Sequence, residues 1–390
     1  MISVSDALDQ LFALVTPLDI EAVPLTGASG RVLAQDVTAA RDQPPFAASA
    51  MDGYAVDAAR AMPGAGFTVI GEAAAGHGFK GVVGESEAVR IFTGAPLPEG
   101  TTRVVMQEDV TCDGERIILG TGLEAKDHVR PAGSDFRVGD RLQAPRVLRP
   151  ADVALLASMN IPAVPVRRKP EVALIATGDE LAMPGENPGP DQIIASNSFG
   201  LKALLEDAGA HARLLPIARD SVASLTTAFD LARGADLIVT IGGASVGDHD
   251  LVGKVAGDLG MDRAFYKVAM RPGKPLMAGR MGDSAMVGLP GNPVSAMVCG
   301  HVFVVPMIAA MLGLGAAPAP RHTARLAAAL PANGPREHYM RARRTPDGLV
   351  AEDRQDSALL GVLAQADALL VRPVGDPARA AGDMVDYLPI

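Results

Sequence analysis

The run Ala235-Asp236-Leu237-Ile238-Val239-Thr240-Ile241, followed at once by Gly242-Gly243-Ala244-Ser245-Val246-Gly247-Asp248-His249-Asp250, constrains this chain more than any other stretch. The run is short, apolar and rich in β-branched side chains, which is the pattern of a buried strand. The Gly-rich continuation then sets backbone N–H groups, one hydroxyl and two carboxylates within nine residues. Open α/β sheets bind ligands beyond the carboxyl ends of their strands, where such loops lie.

The neighbouring sequence follows the same plan. Strand-like and helix-like patterns alternate over residues 170–312, which predicts a parallel sheet covered on both faces. A strand from Glu171 to Ala176 ends in Thr177-Gly178-Asp179-Glu180-Leu181. A helix from Phe199 to Ala208 follows Ser196-Asn197-Ser198. A strand from Ala212 to Ile217 leads to Arg219-Asp220, just before a helix from Val222 to Ala232. After the Gly-rich loop come a short helix, Lys254 to Leu259, and a strand-like run, Phe265 to Met270. That run enters Arg271-Pro272-Gly273-Lys274-Pro275. A last strand, Ala285 to Leu289, ends in Pro290-Gly291-Asn292-Pro293-Val294-Ser295, where Asn292 suits an N-cap and Pro293 the first helical turn. From Val294 to Pro320 there is no Asp, Glu, Lys or Arg, a length that can cross a bilayer. Its place directly after a turn, and Pro306 within it, favour a buried helix ending near Leu312 and then a Gly/Ala/Pro linker.

The flanks differ in character. Residues 3–15 read as an amphipathic helix capped by Ser3 or Ser5, and residues 31–40 alternate like a strand. The prolines and small residues of 44–56 mark an exposed loop in which Asp52, before Gly53, is either a turn former or a ligand. Residues 67–142 hold strand-like runs separated by Gly and Pro, which predicts a small barrel or sandwich. Within it, Thr93-Gly94 reads as a turn, and Glu108 and Asp135 as surface acids. Residues 150–159 look helical, 161–170 look like a linker, and 321–390 like a small β domain.

Composition removes several function classes. A net charge of -10 argues against non-specific nucleic-acid binding, although it leaves room for a local basic pocket. Cys112 and Cys299 stand far apart, which argues against a disulfide framework or a cysteine metal site. Asp6 and Asp9 precede any long apolar run, so no secretory signal is visible and a cytoplasmic, non-membrane protein is expected.

Three strand ends carry chemistry. Thr177–Glu180 offers a hydroxyl and two acids. Gly242–Asp250 offers a phosphate-sized nest. At Leu289–Ser295 a turn feeds a helix N-terminus, where N–H groups and the dipole favour an anion. Arg271 and Lys274 supply positive charge from a loop stiffened by Pro and Gly. The combination points to a phosphate-bearing ligand and carboxylates able to hold Mg²⁺. The loop fits neither Gly-x-Gly-x-x-Gly nor the Walker pattern, and no Ser/His/Asp triad or His metal spacing can be assigned. From the residues alone, both an enzyme and a binding module remain open.

Seven motifs in one order carry a more specific resemblance: Ser49-Ala50-Met51-Asp52-Gly53-Tyr54-Ala55, Thr93-Gly94-Ala95, Met106-Gln107-Glu108, Thr177–Leu181, Gly242–Asp248, Pro272-Gly273-Lys274-Pro275 and Gly288–Ser295. Together they resemble the molybdopterin molybdenumtransferases, the MoeA and gephyrin E-domain family, over nearly the whole chain. The resemblance implies a multidomain α/β fold. Its parts are a MogA-like parallel α/β molybdopterin-binding domain (169–315), a small inserted β domain (41–139), an N-terminal discontinuous linking α/β domain (1–40 and 140–168) and a C-terminal β domain (320–390). It implies a homodimer with a shared active site, and insertion of molybdate into adenylylated molybdopterin with release of AMP, supported by Mg²⁺. The pterin's dithiolene sulfurs take the molybdenum, which fits a chain with two cysteines.

Carried over position by position, the resemblance implies Asp52, Thr93, Glu180, Asp220 and Asp250 as catalytic residues, with Asp52, Glu180 and Asp250 as metal ligands. Asp52 and Thr93 would reach the partner subunit's cleft. It implies pterin-phosphate, AMP and molybdate contacts from Gly242, Gly243, Ser245, Gly247, Lys267, Arg271, Lys274, Pro275, Asn292 and Ser295, and from Arg341 and Ser357 in the C-terminal region. The chain departs from the family in three places. Ile241-Gly242-Gly243-Ala244-Ser245 stands where Ser-Gly-Gly-Val-Ser is commoner, Arg271 where Lys is usual, and Asp135 after Gly-Ser where Gly-Glu is common. None of these removes a carboxylate or a cation, although Arg offers a planar fork where Lys is a point donor. The alternatives are a molybdopterin adenylyltransferase, whose relatives resemble only residues 170–312, a non-catalytic pterin-binding scaffold, and a tungsten-inserting relative. Implied partners are an adenylyltransferase supplying the substrate and a molybdoenzyme maturation factor receiving the product, with no nucleic acid.

Overall fold

Leu237–Ile241 is the strand its β-branched content predicts, and all five residues are buried. In the computed structural model, which describes residues 1–243 and 251–390, it lies at the centre of a six-stranded sheet. Glu171–Ala176 pairs in parallel with His211–Leu214 on one side and Leu237–Ile241 on the other, and Leu237–Ile241 pairs in parallel with Ser284–Leu289. Two antiparallel strands, Met277–Met281 and then Asp262–Tyr266, complete the sheet at that edge.

Side chains alternate between two cores, as the two-residue strand period requires. Val172, Leu174, Leu237, Val239 and Ile241 join one core with Leu201 and Leu205 of helix Asn197–Asp207. Ala173, Ile175 and Ile238 join the other with Leu225 and Phe229 of helix Val222–Leu231 and Val252 and Val255 of helix Leu251–Asp258. The charge-free segment forms a helix over Pro293–Met311, with a π-helical turn at Gly300–Val304. It is long and apolar enough to cross a membrane, but 78% of its most apolar window is buried in the protein, so it serves as a core helix. Gly300 permits its close packing: an added Cβ would lie 2.8 Å from Leu201 Cδ2. Helix Val4–Phe12 joins the same core through Val4, Leu8 and Leu11, and Ser3 and Asp6 form a reciprocal capping box at its start.

The edge strands depart from the all-parallel reading. The extended run stops at Tyr266 because Lys267 is left-handed, with φ 72°. Met270–Arg271 then leaves this sheet and pairs in parallel with Glu337–Thr345 of the C-terminal sheet. Met277–Met281 escapes sequence reading because Met-Ala-Gly-Arg-Met has neither alternation nor β-branching. Gly279 lets its neighbour approach, since an added Cβ would lie 2.2 Å from the Asp262 carbonyl oxygen.

The chain divides into two compact units. One contains Met1–Glu21, Gly30–Ala34 and Val166–Ile390, and the other Ala22–Ser29 and Gln35–Pro165. In the first, the C-terminal sheet runs Met270–Arg271, Glu337–Thr345, Ala368–Arg372, Met384–Pro389, His322–Arg325, with Gly348–Ala351 also on Glu337–Thr345. In the second, the predicted β structure is a six-stranded sheet with two further two-stranded pairings. Its order is Arg103–Met106, Gly53–Val56, Glu87–Ile91, Gly66–Ala73, Arg116–Leu119, Val110–Asp113. Gly53–Val56, which the sequence reads as loop, is an inner strand that needs its glycine: a Cβ on Gly53 would lie 2.0 Å from the Val105 carbonyl oxygen. Ala163–Arg167 is likewise a strand within the supposed linker, with Val164 and Val166 buried.

A buried ion network closes the C-terminal sheet. Asp376 accepts hydrogen bonds from the Nε atoms of both Arg372 and Arg379. The Arg379 bonds, opposed by burial and reinforced by Arg372, hold its carboxyl below the ordinary carboxylate range. A depressed folded value stabilises the protein above the unfolded value, near 4, and that stabilisation is lost as pH falls through the folded value. Asp376→Ala is therefore expected to cost about 3–5 kcal/mol at neutral pH by leaving buried guanidinium charge unpaired. In urea titrations the deficit should be the same at pH 7 and pH 5 and should shrink below about pH 4.

Candidate active site

A cleft of about 850 Å³ opens beyond the carboxyl ends of the parallel strands. Hydrogen bonds just past the strands hold its floor together. Thr177 N–H donates to the Ile241 carbonyl at 3.0 Å, Gly242 N–H to that of Leu289 at 3.0 Å, and Gly178 N–H to that of Ala218 at 3.0 Å. Two glycines are dictated by geometry. Gly178 has φ 146°, and a Cβ there would lie 2.2 Å from Glu180 Oε2, so the glutamate carboxylate occupies the space a side chain would need. Gly243 has φ 66°, and its Cβ would meet Val252 Cγ2 at 2.2 Å.

Glu180, Asp220, Gly242, Gly243, Pro275 and Asn292 line this cleft. Glu180 and Asp220 are exposed, and among the described residues neither carboxylate has a hydrogen-bond or ion-pair partner. Ser245, Gly247 and Asp250 lie outside the described residues. Asn292 occupies the N-cap position with extended backbone but makes no capping bond. Its Nδ2 instead donates to Ser357 Oγ at 3.0 Å, and the Val294 N–H donates to the Ser357 carbonyl at 3.0 Å. Ser357 thus holds the helix start from outside, and the next residue, Ala358, lines the cleft. Ser295 is buried one helical position further in.

The segment that carries Ser357 also touches Arg341. This guanidinium is fully buried and donates through Nη2 to the carbonyls of Arg354 (3.2 Å) and Asp356 (2.9 Å). Among the described residues its Nε and Nη1 have no partner. Burial lowers its pKa from the ordinary value, Asp356 opposes this, and Arg271 adds to the lowering. Arg271 is the strand partner of His338, whose Nε2 is also buried, without a partner among the described residues. Burial, and after it Arg271, Arg341, Arg372 and Arg336, push His338 down to about 4. Buried guanidinium nitrogens without acceptors are costly, and an oxyanion would satisfy those of Arg341. Lys274 is half-buried in the same loop as Arg271. Lys267 places its ammonium 4.9 Å from the Tyr266 ring centroid, a cation–π contact.

In the other compact unit, Asp52 and Thr93 are bonded to each other. Asp52 Oδ1 accepts from both the backbone N–H and the hydroxyl of Thr93, each at 2.8 Å. These two bonds, opposed by slight desolvation and aided by Arg90, hold the Asp52 carboxyl below the usual range. Sequence reading picked both residues without seeing that they form one group.

Several wall residues were not picked. Ile193, Ile194, Ser196 and Asn197 line the cleft, and Asn197 Nδ2 donates to the Gly291 carbonyl at 2.7 Å. The polar cluster Ser196-Asn197-Ser198 ahead of a helix was the available signal. No group of three or more His, Cys, Asp or Glu side chains is assembled for a metal among the described residues. Glu180 and Asp220 nevertheless suit Mg²⁺, which commonly binds through one or two carboxylates plus substrate phosphates.

Comparison with known proteins accounts for nearly the whole chain. The family model described as MoeA N-terminal region (domain I and II) matches residues 2–160, that of a probable molybdopterin binding domain matches 173–310, and MoeA C-terminal region (domain IV) matches 323–390. A molybdopterin molybdenumtransferase of Nostoc sp. is 35% identical over an alignment covering 100% of this chain and 94% of that protein. One from Haemophilus influenzae is 36% identical, covering 76% of this chain and 74% of its own length. The structure of a molybdopterin biosynthesis MoeA protein from Pyrococcus horikoshii OT3 matches with a TM-score of 0.85 and 26% identity, covering 100% of both chains. With the fold, the cleft and three consecutive domain matches in agreement, this chain belongs to the molybdopterin molybdenumtransferase (MoeA) family.

Proposed function

We propose that this protein inserts molybdate into adenylylated molybdopterin and releases AMP, as a cytoplasmic transferase of molybdenum cofactor biosynthesis. The observation that carries the reading is that a cleft with two acids and a buried guanidinium with two free nitrogens, none of them partnered among the described residues, are joined by one segment, residues 354–358. A substrate with a phosphoanhydride at one end and an oxyanion to be delivered needs both.

In this reading Gly242–Gly243 and the helix start at Asn292 cradle the phosphate end of the pterin. Arg341 and Arg271, with Lys274 and Ser357 beside them, hold molybdate. Glu180 and Asp220, joined by Asp250 and Asp52, would hold Mg²⁺, which when bound neutralises charge on the phosphoanhydride. The chain's own residues orient the two substrates, and Asp52 stays ionised because Thr93 donates to it twice. Asp52 and Thr93 are supplied to each cleft by a second copy of the chain, so the working unit is a homodimer.

Two outcomes follow. Glu180→Ala and Asp220→Ala are each expected to slow AMP release from adenylylated molybdopterin in the presence of molybdate by about 10²–10³-fold. Both positions are exposed, so unfolding free energy should change by less than about 0.5 kcal/mol. Wild-type rates in both variants would remove the acids from the reading. If the active site is shared, inactive Asp52→Ala and inactive Glu180→Ala proteins should recover AMP release when unfolded and refolded together. A mixture that stays inactive, while containing heterodimers by mass spectrometry, would place both residues in one copy's site.

A further inference from the structure

Arg219 was singled out by neither the sequence nor the reading of the cleft, yet it holds the loops that present the cleft's two acids. Its Nη1 donates to three backbone carbonyls, those of Gly178 (3.2 Å), Asp179 (3.1 Å) and Leu181 (2.9 Å). These belong to the turn that displays Glu180. Its own backbone N–H donates to Ser224 Oγ at 2.9 Å, which anchors it to the first turn of helix Val222–Leu231. The next residue, Asp220, returns the tie: its N–H donates to Asp179 Oδ1 at 3.1 Å. The two loops are therefore cross-linked in both directions. Among the described residues, Arg219 has no acidic partner.

The turn needs such a clamp. Glu180's carboxylate folds back over Gly178, whose φ of 146° leaves the backbone few steric restraints of its own. Three carbonyls converging on one guanidinium nitrogen replace those restraints. Arg is fitted for this, because its planar fork aims several N–H groups from one rigid end.

We infer that Arg219 is a positioning residue that fixes Glu180 in register with Asp220 by clamping the 178–181 turn to the helix N-terminus behind Asp220. The inference rests on the reading of Glu180 as an acid of the reacting site. It makes Arg219 act through Glu180, with no contact to substrate required.

The test is a double-mutant cycle on the full-length protein, read as AMP release from adenylylated molybdopterin with molybdate. Arg219→Met alone should lower kcat about tenfold or more while KM for the pterin changes less than about threefold, as misplacement of one active group predicts. In a Glu180→Gln background the same substitution should change the rate by less than about twofold, because the group it positions is already lost. Arg219→Lys should retain part of the activity. Thermal unfolding should be nearly unchanged in all variants, since Arg219 is exposed. Full kcat in Arg219→Met, or a full additive loss on top of Glu180→Gln, would overturn the positioning role. A Glu180→Gln protein with normal rate would instead overturn the reading of Glu180, and this inference with it.

Discussion

The parallel ladder between Glu171–Ala176, Leu237–Ile241 and Ser284–Leu289 is the constraint on which the rest of the larger unit depends. Three strands in register bring three loops to one edge, and the hydrogen bonds just past the strands keep those loops level. The apolar cores on both faces leave the ladder no freedom to slip, because a shift of one residue would turn Val239 and Ile238 toward the wrong helices. The cleft is a by-product of that register. Arg219 then fixes the turn that carries Glu180, and Ser357 the helix start.

The C-terminal sheet adds the opposite charge. Met270–Arg271 leaves the α/β sheet to pair with Glu337–Thr345, so Arg271 is placed by the C-terminal sheet although it follows an α/β strand in sequence. From there the 354–358 segment runs from Arg341 to the cleft wall through Ser357 and Asn292. Among the described residues these loci are thus tied by hydrogen bonds, from Arg341 to the Arg354 and Asp356 carbonyls and from Asn292 and Val294 to Ser357, and not by ion pairs. In the proposed function the acids and the guanidinium engage the ligand, and among the described residues two nitrogens of the buried Arg341 have no partner of their own.

Much of this was legible in the sequence where a local rule applied. Leu237–Ile241, Glu171–Ala176 and the helix after Pro293 were readable from β-branching, run length and a proline at the first turn. Glu180 was readable because it follows a strand end, whereas Asp220 came from the family resemblance. Failures came where distant backbone decided the outcome. Met277–Met281 is a strand because Gly279 admits Asp262, and Gly53–Val56 because Gly53 admits Val105, neither of which any local pattern encodes. The bond between Asp52 and Thr93, the bridge from Asn292 to Ser357 and the clamp of Arg219 on the 178–181 turn span 41, 65 and about 40 positions, beyond any periodicity. Family resemblance supplied Asp52, Thr93, Arg341 and Ser357, but not what each one touches.

The central claim is that the acid-lined cleft and the buried guanidinium serve one reaction, each holding one of its two substrates. Its most direct test is AMP release by the wild-type protein from adenylylated molybdopterin, with molybdate and Mg²⁺ each present or omitted. The account predicts AMP release in step with molybdenum incorporation, and little release when molybdate is left out. Tight pterin binding with no AMP release under any condition would contradict it, as would AMP release that ignores molybdate.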